Sequence, residues 1–581
     1  MRKRRFILCC LAVLFLTAGC GETAEKQVEQ TPVPVVQATP VPTPAPVEYT
    51  LDLCLGTEGY TIDPTYAADT DVSTYCLHLF EGLMKYMPVS GEEETQVVHT
   101  TVEPGMARKY QVSEDGLIYT FTLREAFWSD GQPVTAQDFV YSWQRLLSPE
   151  GPEQPAGHTL LNGIVKNAEA VSSGRLSVAQ LGIRAVDEKT LEIQLEEPCP
   201  YFLKLCASPC LVPLRQDVIE TYGGNWTDAA NIVVNGAYTI AEWVHDDFLE
   251  MVQNETYYGR EELGPARIIW HFSDGDQLTL EGFRAGDYDF IGTMPQGQIP
   301  ALKEEGLCQT MELAGTYYLY FNTDVIGDWR IRAAMLLSVD REAITQALTG
   351  EEFPATGLVA SGVRDSRDGD FSEGMSSEPT SAMYRWLQNW YPDYDLSTYD
   401  GRCQLAKALY QESLTAGSWY RSYEVTYCYN SSTINRTVAK LCQKNWADVL
   451  GLRVNLTVVD PEGYESVLKN GNFGLAYLSW FPDYDDPQNF LELMESSNEY
   501  NYGMWSSAAY DDLMAQIRGT GDSLERDELQ YYAESQMFSM GGFPVCPVFF
   551  YGDSCGISPE LTNVGYDPFG FYCFRYAKLK T

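Results

Sequence analysis

The sequence predicts a large α/β protein of two or three domains. The chain has 581 residues, more than one hydrophobic core usually accommodates, and 45% of them are hydrophobic, as in globular proteins. Segments with period-two alternation, which is typical of strands, occur beside an amphipathic helical pattern. These features exclude a disordered chain and indicate mixed helix and sheet.

The clearest local pattern lies at residues 115–149. A turn at Asp115 and Gly116 precedes an alternating strand at 118–123, and a second turn follows at 129–131. Thr135 and Asp138 then resemble a capping box. The apolar residues that follow recur at helical spacing, and they are Phe139, Val140, Trp143, Leu146 and Leu147. The segment predicts a strand, a turn and an amphipathic helix in that order.

The first twenty residues form a targeting pattern. A basic run at 2–5 precedes eleven apolar residues at 6–16, too few to span a bilayer as a helix. The run ends in Thr17, Ala18, Gly19 and Cys20, which resembles a bacterial lipobox except that Thr17 stands where leucine is usual. We predict a lipoprotein signal peptide at 1–19 and lipidation of Cys20. The alternative is an ordinary signal peptide followed by a chance cysteine.

Residues 20–47 predict a stalk behind the lipidated cysteine. Six prolines between Pro32 and Pro46 are interleaved mainly with Thr, Val and Ala, a composition that favours extended polyproline geometry and cannot form a packed core. A stalk of this kind would hold a globular body on the extracytoplasmic face of the cell membrane. That lipid-anchored position is the localisation we predict.

The charge is strongly acidic. Lys and Arg number 39 against 81 Asp and Glu, a formal charge of −42, and removing residues 1–19 takes away only basic residues. Nucleic acid and anionic lipid are therefore poor partners for the body, whereas cationic or amine-bearing ligands fit. Fifteen cysteines are present, twelve of them beyond residue 20, and the sequence leaves their pairing open.

Motifs of catalysis and metal binding occur without their partners. The letters GDSCG at 552–556 match a nucleophile-elbow pattern, but an α/β-hydrolase needs a later histidine and the last is His271. We predict a structural loop there. His245, Asp246 and Asp247 have no second His or Cys at ligand spacing and predict a solvated turn. No phosphate loop ends in Gly-Lys-Ser/Thr. The sequence thus predicts no enzyme, no catalytic residue, no metal and no cofactor.

An acidic loop at the end of a predicted core strand is the main candidate for binding chemistry. Residues 475–478 form an apolar run, and Pro482 stops any ladder because it has no N–H to donate. Three carboxylates, Asp483, Asp485 and Asp486, follow directly. Such a loop either presents one carboxylate to a cation or forms an acidic surface turn.

Long motifs resemble the extracellular solute-binding proteins of peptide ABC transporters, oligopeptide-binding branch. They run in family order from residue 49 to the C-terminus: EDGLIYTFTLR (114–124), WSDG (128–131), PVTAQDFVYSWQR (133–145), NIVVNGAY (231–238), TYY (316–318), DWRIRAA (328–334), SVDR (338–341), 446–456 and 473–487. The insert-like region 365–394 is less similar.

The resemblance implies a two-lobed, periplasmic-binding-protein-like α/β clamp with an extra subdomain in the first lobe. We map the first lobe to 48–72, 211–312 and 548–581, the extra subdomain to 73–210, and the second lobe to 313–547. The ligand is expected at the hinge crevice between the lobes.

The resemblance also implies the residues of the binding site. Asp483 matches the acid that takes the α-amine of a peptide, Glu58 matches a first-lobe acid that faces ligand, and Trp480 and Tyr484 would wall the site. The peptide backbone would be held by main-chain groups at 292–295 and 316–318, which include Thr293 and Tyr317. Some relatives place an arginine where this chain has Tyr477, so the preferred peptide length stays open.

These features predict a monomeric, membrane-anchored solute-binding protein that captures oligopeptides and delivers them to the permease subunits of an ABC importer. One alternative is a binder of the same fold for a nickel chelate, a sugar or haem. A second is a peptide-sensing surface lipoprotein. The third, an envelope hydrolase using Asp485 and Asp486, conflicts with the separation that two carboxylates need across a glycosidic bond.

Overall fold

Two long strands that run through the middle of one sheet organise the fold. The structure, a computed structural model, describes residues 48–580 except 90, 93, 150–154, 156, 375–380, 421 and 522. The predicted signal peptide at 1–19, Cys20 and the stalk at 20–47 lie outside the described residues. The long strands are Gln309–Phe321 and Val545–Ile557, each of 13 residues, and they pair antiparallel.

The central sheet extends on both sides of this pair. Its order, from one edge to the other, is Arg453–Val459, Glu424–Asn430, Leu475–Trp480, Gln309–Phe321, Val545–Ile557, Phe290–Ile291, Thr50–Gly56, Arg267–Phe272, Phe248–Gln253 and Tyr238–Val244, with Phe353–Pro354 added beside Val545–Ile557. The predicted lobe boundaries 312/313 and 547/548 fall within the two long strands. The sheet therefore has one half on each side of these strands, as a two-lobed clamp requires. The limits of the lobes stay a prediction.

The register of the two long strands shifts where the halves meet. Glu312 lies opposite Gly552 and Thr316 opposite Phe550, so the ladder is interrupted between them. A Cβ on Gly315 would lie 2.5 Å from Cε1 of Phe481, because that ring packs directly on the backbone. Glycine is needed here for a close approach of chain to ring.

Smaller sheets lie in the half of the protein that contains the predicted first lobe and extra subdomain, which we call the first half. The strands Ala107–Val112, Ile118–Leu123, Thr190–Gln194 and Ile183–Asp187 form one antiparallel sheet in that order. A second has the order Met84–Pro88, Val97–Pro104, Val564–Asp567 and Phe571–Cys573, and Leu561–Thr562 pairs with Lys578–Leu579. The first of these sheets lies within the segment predicted as the extra subdomain.

The strand, turn and helix predicted at 115–149 are confirmed. Ile118–Leu123 is a strand with alternating burial, and Gly131 has φ 84° in the turn. The helix Ala136–Leu146 begins at a capping box in which the Thr135 side chain and Asp138 are reciprocally bonded. Local sequence signals, above all the capping box, were therefore sufficient to predict this strand, turn and helix.

The α-helices of the described residues flank the sheets. They are Thr70–Leu79, Ala136–Leu146, Ala168–Ser172, Phe202–Leu205, Gln216–Tyr222, Asp276–Ala285, Ile299–Glu304, Trp329–Leu337, Arg341–Gln346, Ala382–Trp390, Tyr399–Ala416, Thr433–Leu450, Pro461–Lys469, Gln488–Leu491, Ala508–Gly519 and Ser523–Met537. Among them we find no helix whose length and apolarity would let it cross a bilayer.

Buried side chains form separate apolar cores. One core is built from residues between 314 and 550, with Trp446 fully buried in it. A second joins the segment 73–210 to the rest of the first half, since Trp128, Trp143 and Trp270 belong to it together. A third, smaller core surrounds Leu280. Glu48–Thr581 as a whole forms one compact unit, and the segment predicted as the extra subdomain shares its core with segments of the predicted first lobe.

The segment 552–556 was predicted as a structural loop, and this is wrong. These residues belong to the long strand Val545–Ile557, and Ser554 pairs with Thr310 in the ladder. The Ser554 hydroxyl lies 2.8 Å from the hydroxyl of Thr310. Two glycines made the segment look like a turn, but a central strand accepts them because neighbouring side chains and backbone leave no space for a Cβ.

The cysteine pairing that the sequence left open is resolved for the described residues. All twelve cysteines from Cys54 to Cys573 are free thiols, and all but Cys210 are buried. No described side chains cluster as ligands for a metal ion.

Candidate functional site

The acidic loop follows the strand Leu475–Trp480 and is fixed at both ends. Asn489, on the helix Gln488–Leu491, accepts hydrogen bonds through Oδ1 from Trp480 Nε1 at 2.8 Å and from the backbone N–H of Asp483 at 3.3 Å. Pro482 ends the strand because it offers no donor to the ladder. One amide oxygen thus ties the end of the strand to the loop that carries the carboxylates.

Two of the three carboxylates in this loop are held by cations. Asp485 accepts from Lys204 Nζ at 2.8 Å and from the backbone N–H of Arg364 at 2.8 Å. Asp486 is buried and binds Arg526 through both oxygens, at 2.6 and 2.8 Å. Their charges are compensated by the protein itself, so neither carboxylate is available as a hydrolytic acid or base without breaking these pairs.

Asp483 is the carboxylate of this loop that has no cation partner among the described residues. It is exposed to the solvent of a cleft whose walls partly desolvate it, and this desolvation raises the pKa of Asp483 while the Asn489 contact lowers it. A carboxylate in such a position is compensated best by a cation from outside the chain. The position of Asp483 therefore agrees with a role in binding an amine.

Two cavities meet at Asp483 and Tyr484. The larger, of about 360 Å³, lies between this loop, the start of the helix Thr70–Leu79, and residues 204–210 and 567–571. The second, of about 310 Å³, lies between the loop, residues 159–164 and residues 197–201. Together they make a crevice between the loop of the predicted second lobe and the predicted first lobe with its subdomain.

Tyr484 divides the two cavities and links the halves of the protein. Its ring stacks on Tyr201 with centroids 4.2 Å apart and planes 1° from parallel. It is buried, and its hydroxyl donates to Glu492 at 3.3 Å. Tyr484 thus lines the crevice, and its role as a wall of a ligand site stays a prediction. Trp480 lines neither cavity, and its ring packs edge-on against Tyr500 with ring centroids 5.1 Å apart.

Glu58 is occupied by the first half of the protein. Its carboxylate accepts from Trp243 Nε1 at 2.8 Å, from the backbone N–H of Asp246 at 2.8 Å, and lies 2.6 Å from His245 Nδ1. His245, Asp246 and Asp247 form the turn between two strands, as predicted. Glu58 therefore anchors this turn and does not line either cavity, and its role toward ligand stays a prediction.

Tyr317 and Thr293 have different surroundings. Tyr317 is 1% exposed, and its ring stacks on Phe549 at 4.7 Å in the core. Its backbone pairs on one side with Ser479 and on the other with Phe549, so neither side chain nor main chain faces the crevice. Tyr317 lines neither cavity. Thr293 is partly buried and lies beside the end of the strand Thr50–Gly56.

Sequence reasoning missed the contribution of the predicted subdomain to the crevice. Tyr201 stacks on Tyr484, and Lys204 binds Asp485. No local pattern around Tyr201 indicates this contact, because its partner lies 283 residues later in the chain. Tyr477, the residue that left the preferred peptide length open, stacks on Tyr464 with ring centroids 4.9 Å apart.

Comparisons with known proteins give similar sequences and structures along the whole body. The model of "Bacterial extracellular solute-binding proteins, family 5 Middle" matches residues 101–502. The oligopeptide-binding protein OppA of Bacillus subtilis strain 168 is 30% identical over 546 residues, covering 91% of this chain and 93% of that protein. The "Probable deoxycholate-binding periplasmic protein YgiS" of Escherichia coli K12 is 29% identical over 495 residues, covering 84% and 86%.

A solved structure extends the likeness to the fold. It is described as "MppA Periplasmic Murein Tripeptide Binding Protein, Unliganded Open Form", is 29% identical, and superposes with a TM-score of 0.78. The match covers 92% of this chain and 98% of that one. The two-lobed clamp architecture is therefore shared.

Proposed function

This chain belongs to the bacterial extracellular solute-binding proteins of family 5, and from that premise we propose that it captures oligopeptides in the crevice beside Asp483. The single observation that carries the proposal is which of the three carboxylates in the acidic loop are paired with a cation. Asp485 and Asp486 are bound by Lys204 and Arg526, whereas Asp483 faces two cavities and no described residue pairs with it as a cation. We assign Asp483 as the acceptor of the peptide α-ammonium.

The mechanism follows from desolvation. When the two lobes close on a ligand, water leaves the crevice and each remaining charge needs a partner within it. An ammonium placed at Asp483 satisfies both charges through charge-assisted hydrogen bonds. The two cavities beside it then take side chains, and trapped water lets them accept different residues.

In the proposed cellular role, the protein delivers its ligand to the permease subunits of an ABC importer. It would act as a monomer on the outer face of the cell membrane, held there by lipid on Cys20. The relatives that bind oligopeptides and murein tripeptide support peptide as the solute class. The same residues Asp485 and Asp486 are engaged in ion pairs, which argues against hydrolysis.

A second solute class has one specific observation in its favour. The relative YgiS is described as a probable binder of deoxycholate, which is not a peptide. Mass spectrometry of ligand carried through native purification discriminates between the two. We expect peptides with free N-termini to be released on denaturation. A bile acid, sugar, metal chelate or haem as the released solute would contradict the proposal.

Removing the proposed lipid site should change the location of the protein. In Cys20→Ala, no thiol remains for lipid attachment, so the body should appear in the medium or remain unprocessed. Fractionation and immunoblotting of wild type and variant measure this. Cys210→Ala, which changes a cysteine in the body, is the control and should stay with membranes. A mature-sized Cys20→Ala band in the membrane fraction would show that another segment anchors the chain.

A further inference from the structure

The second cavity beside Asp483 contains a further carboxylate, that of Glu492. Its volume of about 310 Å³ is in the range of pockets that hold small ligands, and it is enough for one long side chain. Asp483 and Glu492 both line this cavity. Asp483 is exposed and Glu492 is partly accessible, so a group bound near Asp483 can enter the cavity and reach the Glu492 carboxylate.

Neutral groups hold the Glu492 carboxylate. The Tyr484 hydroxyl donates to one of its oxygens at 3.3 Å, and Gln488 Nε2 donates to the other at 3.4 Å. Among the described residues, no lysine, arginine or histidine forms an ion pair with it. Burial is the main cause that raises the pKa of Glu492 to about 7, and the contacts of Gln488 and Tyr484 lower it. In its charged form, Glu492 therefore lacks a compensating cation.

The two described arginines that line this cavity, Arg518 and Arg526, are already paired. Arg518 binds Glu495 through two nitrogens, each at 2.7 Å. Arg526 binds Asp486 through two nitrogens, at 2.6 and 2.8 Å. A carboxylate thus matches the positive charge of each arginine, whereas no described cation matches Glu492. The cavity therefore favours a cationic ligand group and disfavours an acidic one.

We propose that the second cavity is a subsite for the lysine or arginine side chain of a peptide's first residue, with Glu492 as the acceptor. Asp483 lines both cavities, so a residue whose α-ammonium is bound there has its Cα beside the second cavity. The cationic end of its side chain donates a charge-assisted hydrogen bond to Glu492. The rest of the peptide extends along the larger cavity. This inference rests on the proposed function and specifies the preferred solute as a peptide that begins with a basic residue.

Tetrapeptides that differ only at the first residue test the subsite. Lys-Ala-Ala-Ala, Nle-Ala-Ala-Ala and Glu-Ala-Ala-Ala share the α-ammonium, and norleucine has a shape similar to that of lysine without the charge. By calorimetry at pH 7.5, we expect the lysine peptide to bind about tenfold more tightly than the norleucine peptide, or better, and the glutamate peptide to bind most weakly. Equal affinities of the lysine and norleucine peptides, or a preference for glutamate, would overturn the subsite.

A lysine at the second residue is the positional control. Only the first side chain starts beside the second cavity, so Ala-Lys-Ala-Ala and Ala-Nle-Ala-Ala should bind within about twofold of each other. An equal lysine preference at both positions would show a response to the net charge of the peptide. That result, or a preference confined to the second residue, would overturn the assignment.

Matched variants assign the preference to a residue. Glu492→Gln removes the charge, keeps the shape of the side chain, and should reduce the ratio of lysine to norleucine affinity to within about twofold. Binding of the norleucine peptide shows that the variant is folded. Glu197→Gln is the control, because Glu197 lines the same cavity but is exposed, so water screens its charge and the ratio should be largely retained. An unchanged ratio in Glu492→Gln, or equal losses in both variants, would overturn the role of Glu492.

The same ratio should depend on pH. With a pKa of about 7, Glu492 is mostly neutral at pH 6 and mostly charged at pH 8, so the lysine preference should rise between these values in wild type and stay flat in Glu492→Gln. The α-amine is common to both peptides and cancels from the ratio. The titratable and charged groups around Glu492 are Glu495 with Arg518, Asp486 with Arg526, Asp483, Glu197, and the tyrosines Tyr201, Tyr484 and Tyr510, whose pKa burial raises. A flat ratio in wild type would overturn the subsite.

Asp483→Asn separates this inference from the proposed function. It should weaken the lysine and norleucine peptides alike and preserve their ratio, because it removes only the partner of the α-ammonium. Loss of the ratio in Asp483→Asn would place the basic side chain at Asp483 and overturn the subsite. If no tetrapeptide binds wild type, the proposed function fails, and the subsite fails with it. If the norleucine peptide binds and lysine gives no advantage, the subsite alone fails.

Discussion

Replacing Asp483 with asparagine is expected to weaken the binding of a free peptide by roughly 30-fold to several thousand-fold. Removing one partner of a desolvated charge pair typically costs about 2–5 kcal/mol, at about 1.4 kcal/mol per tenfold change in affinity. Asparagine preserves the volume of the side chain but leaves the ammonium without a compensating charge in a closed crevice. Calorimetry of wild type and variant with the same peptide gives the loss directly.

An N-acetylated peptide supplies the second change of a thermodynamic cycle, in which Asp483→Asn is the first. It has no α-ammonium, so it should bind wild type weakly and lose little more in Asp483→Asn. The four combinations of protein and peptide give the coupling energy between the carboxylate and the amine. A coupling near zero would exclude Asp483 as the amine acceptor even if peptides still bind through other contacts.

Asp485→Asn is the matched control in the same loop. Asp485 lies two residues from Asp483 but is already paired with Lys204 and Arg364. Its removal changes the local charge by the same amount, so any general electrostatic effect should appear in both variants. We expect Asp485→Asn to affect free and acetylated peptides equally. A selective loss for free peptide in this variant would show that the loop acts through its net charge.

Local chemistry explains why some elements were predictable. The helix at Ala136–Leu146 is defined by its cap and its apolar spacing, and both are contained in a short stretch of sequence. The strand Leu475–Trp480 and its end at Pro482 are similarly local. The family resemblance then supplied the two-lobed clamp fold, which the comparisons confirm.

Long-range pairing explains what the sequence left undetermined. Asp483, Asp485 and Asp486 are chemically alike, and only the positions of Lys204, Arg364 and Arg526 distinguish them. Those cations come from distant parts of the chain, so no spacing rule connects them to the loop.

The burial of Tyr317 has the same origin. The sequence alone does not show whether Tyr317 is buried, because that depends on which strands lie beside its own. The strand Gln309–Phe321 is central, with a paired strand on each side, and its buried residues belong to the core of that half of the protein. Tyr317 consequently packs in the core. Its strand pairs with Leu475–Trp480, the strand that leads into the acidic loop, but its side chain does not reach the crevice.

The second large effect is expected on stability, at the buried pair of Asp486 and Arg526. Arg526 is 3% exposed and Asp486 6% exposed, and the pair is completed by Gln530, which donates to Asp486 at 2.7 Å. Arg526→Met keeps much of the side-chain volume but leaves Asp486 buried without its cation. Breaking a buried pair in this way typically destabilises a protein by about 3–5 kcal/mol. Urea denaturation of wild type and variant measures the change in the free energy of unfolding.

Burial should decide the size of this effect. Arg184 binds Glu192 with the same two-pronged geometry, at 2.7 and 2.8 Å, but the Arg184 side chain is 65% exposed. Arg184→Met should therefore change the free energy of unfolding far less than Arg526→Met does, because the exposed pair is screened by solvent. The double variant Asp486→Asn with Arg526→Met removes both buried charges and should recover part of the stability lost in Arg526→Met alone. Equal losses in Arg526→Met and Arg184→Met would contradict the prediction, because they would show that burial of the Asp486 pair adds nothing to its contribution.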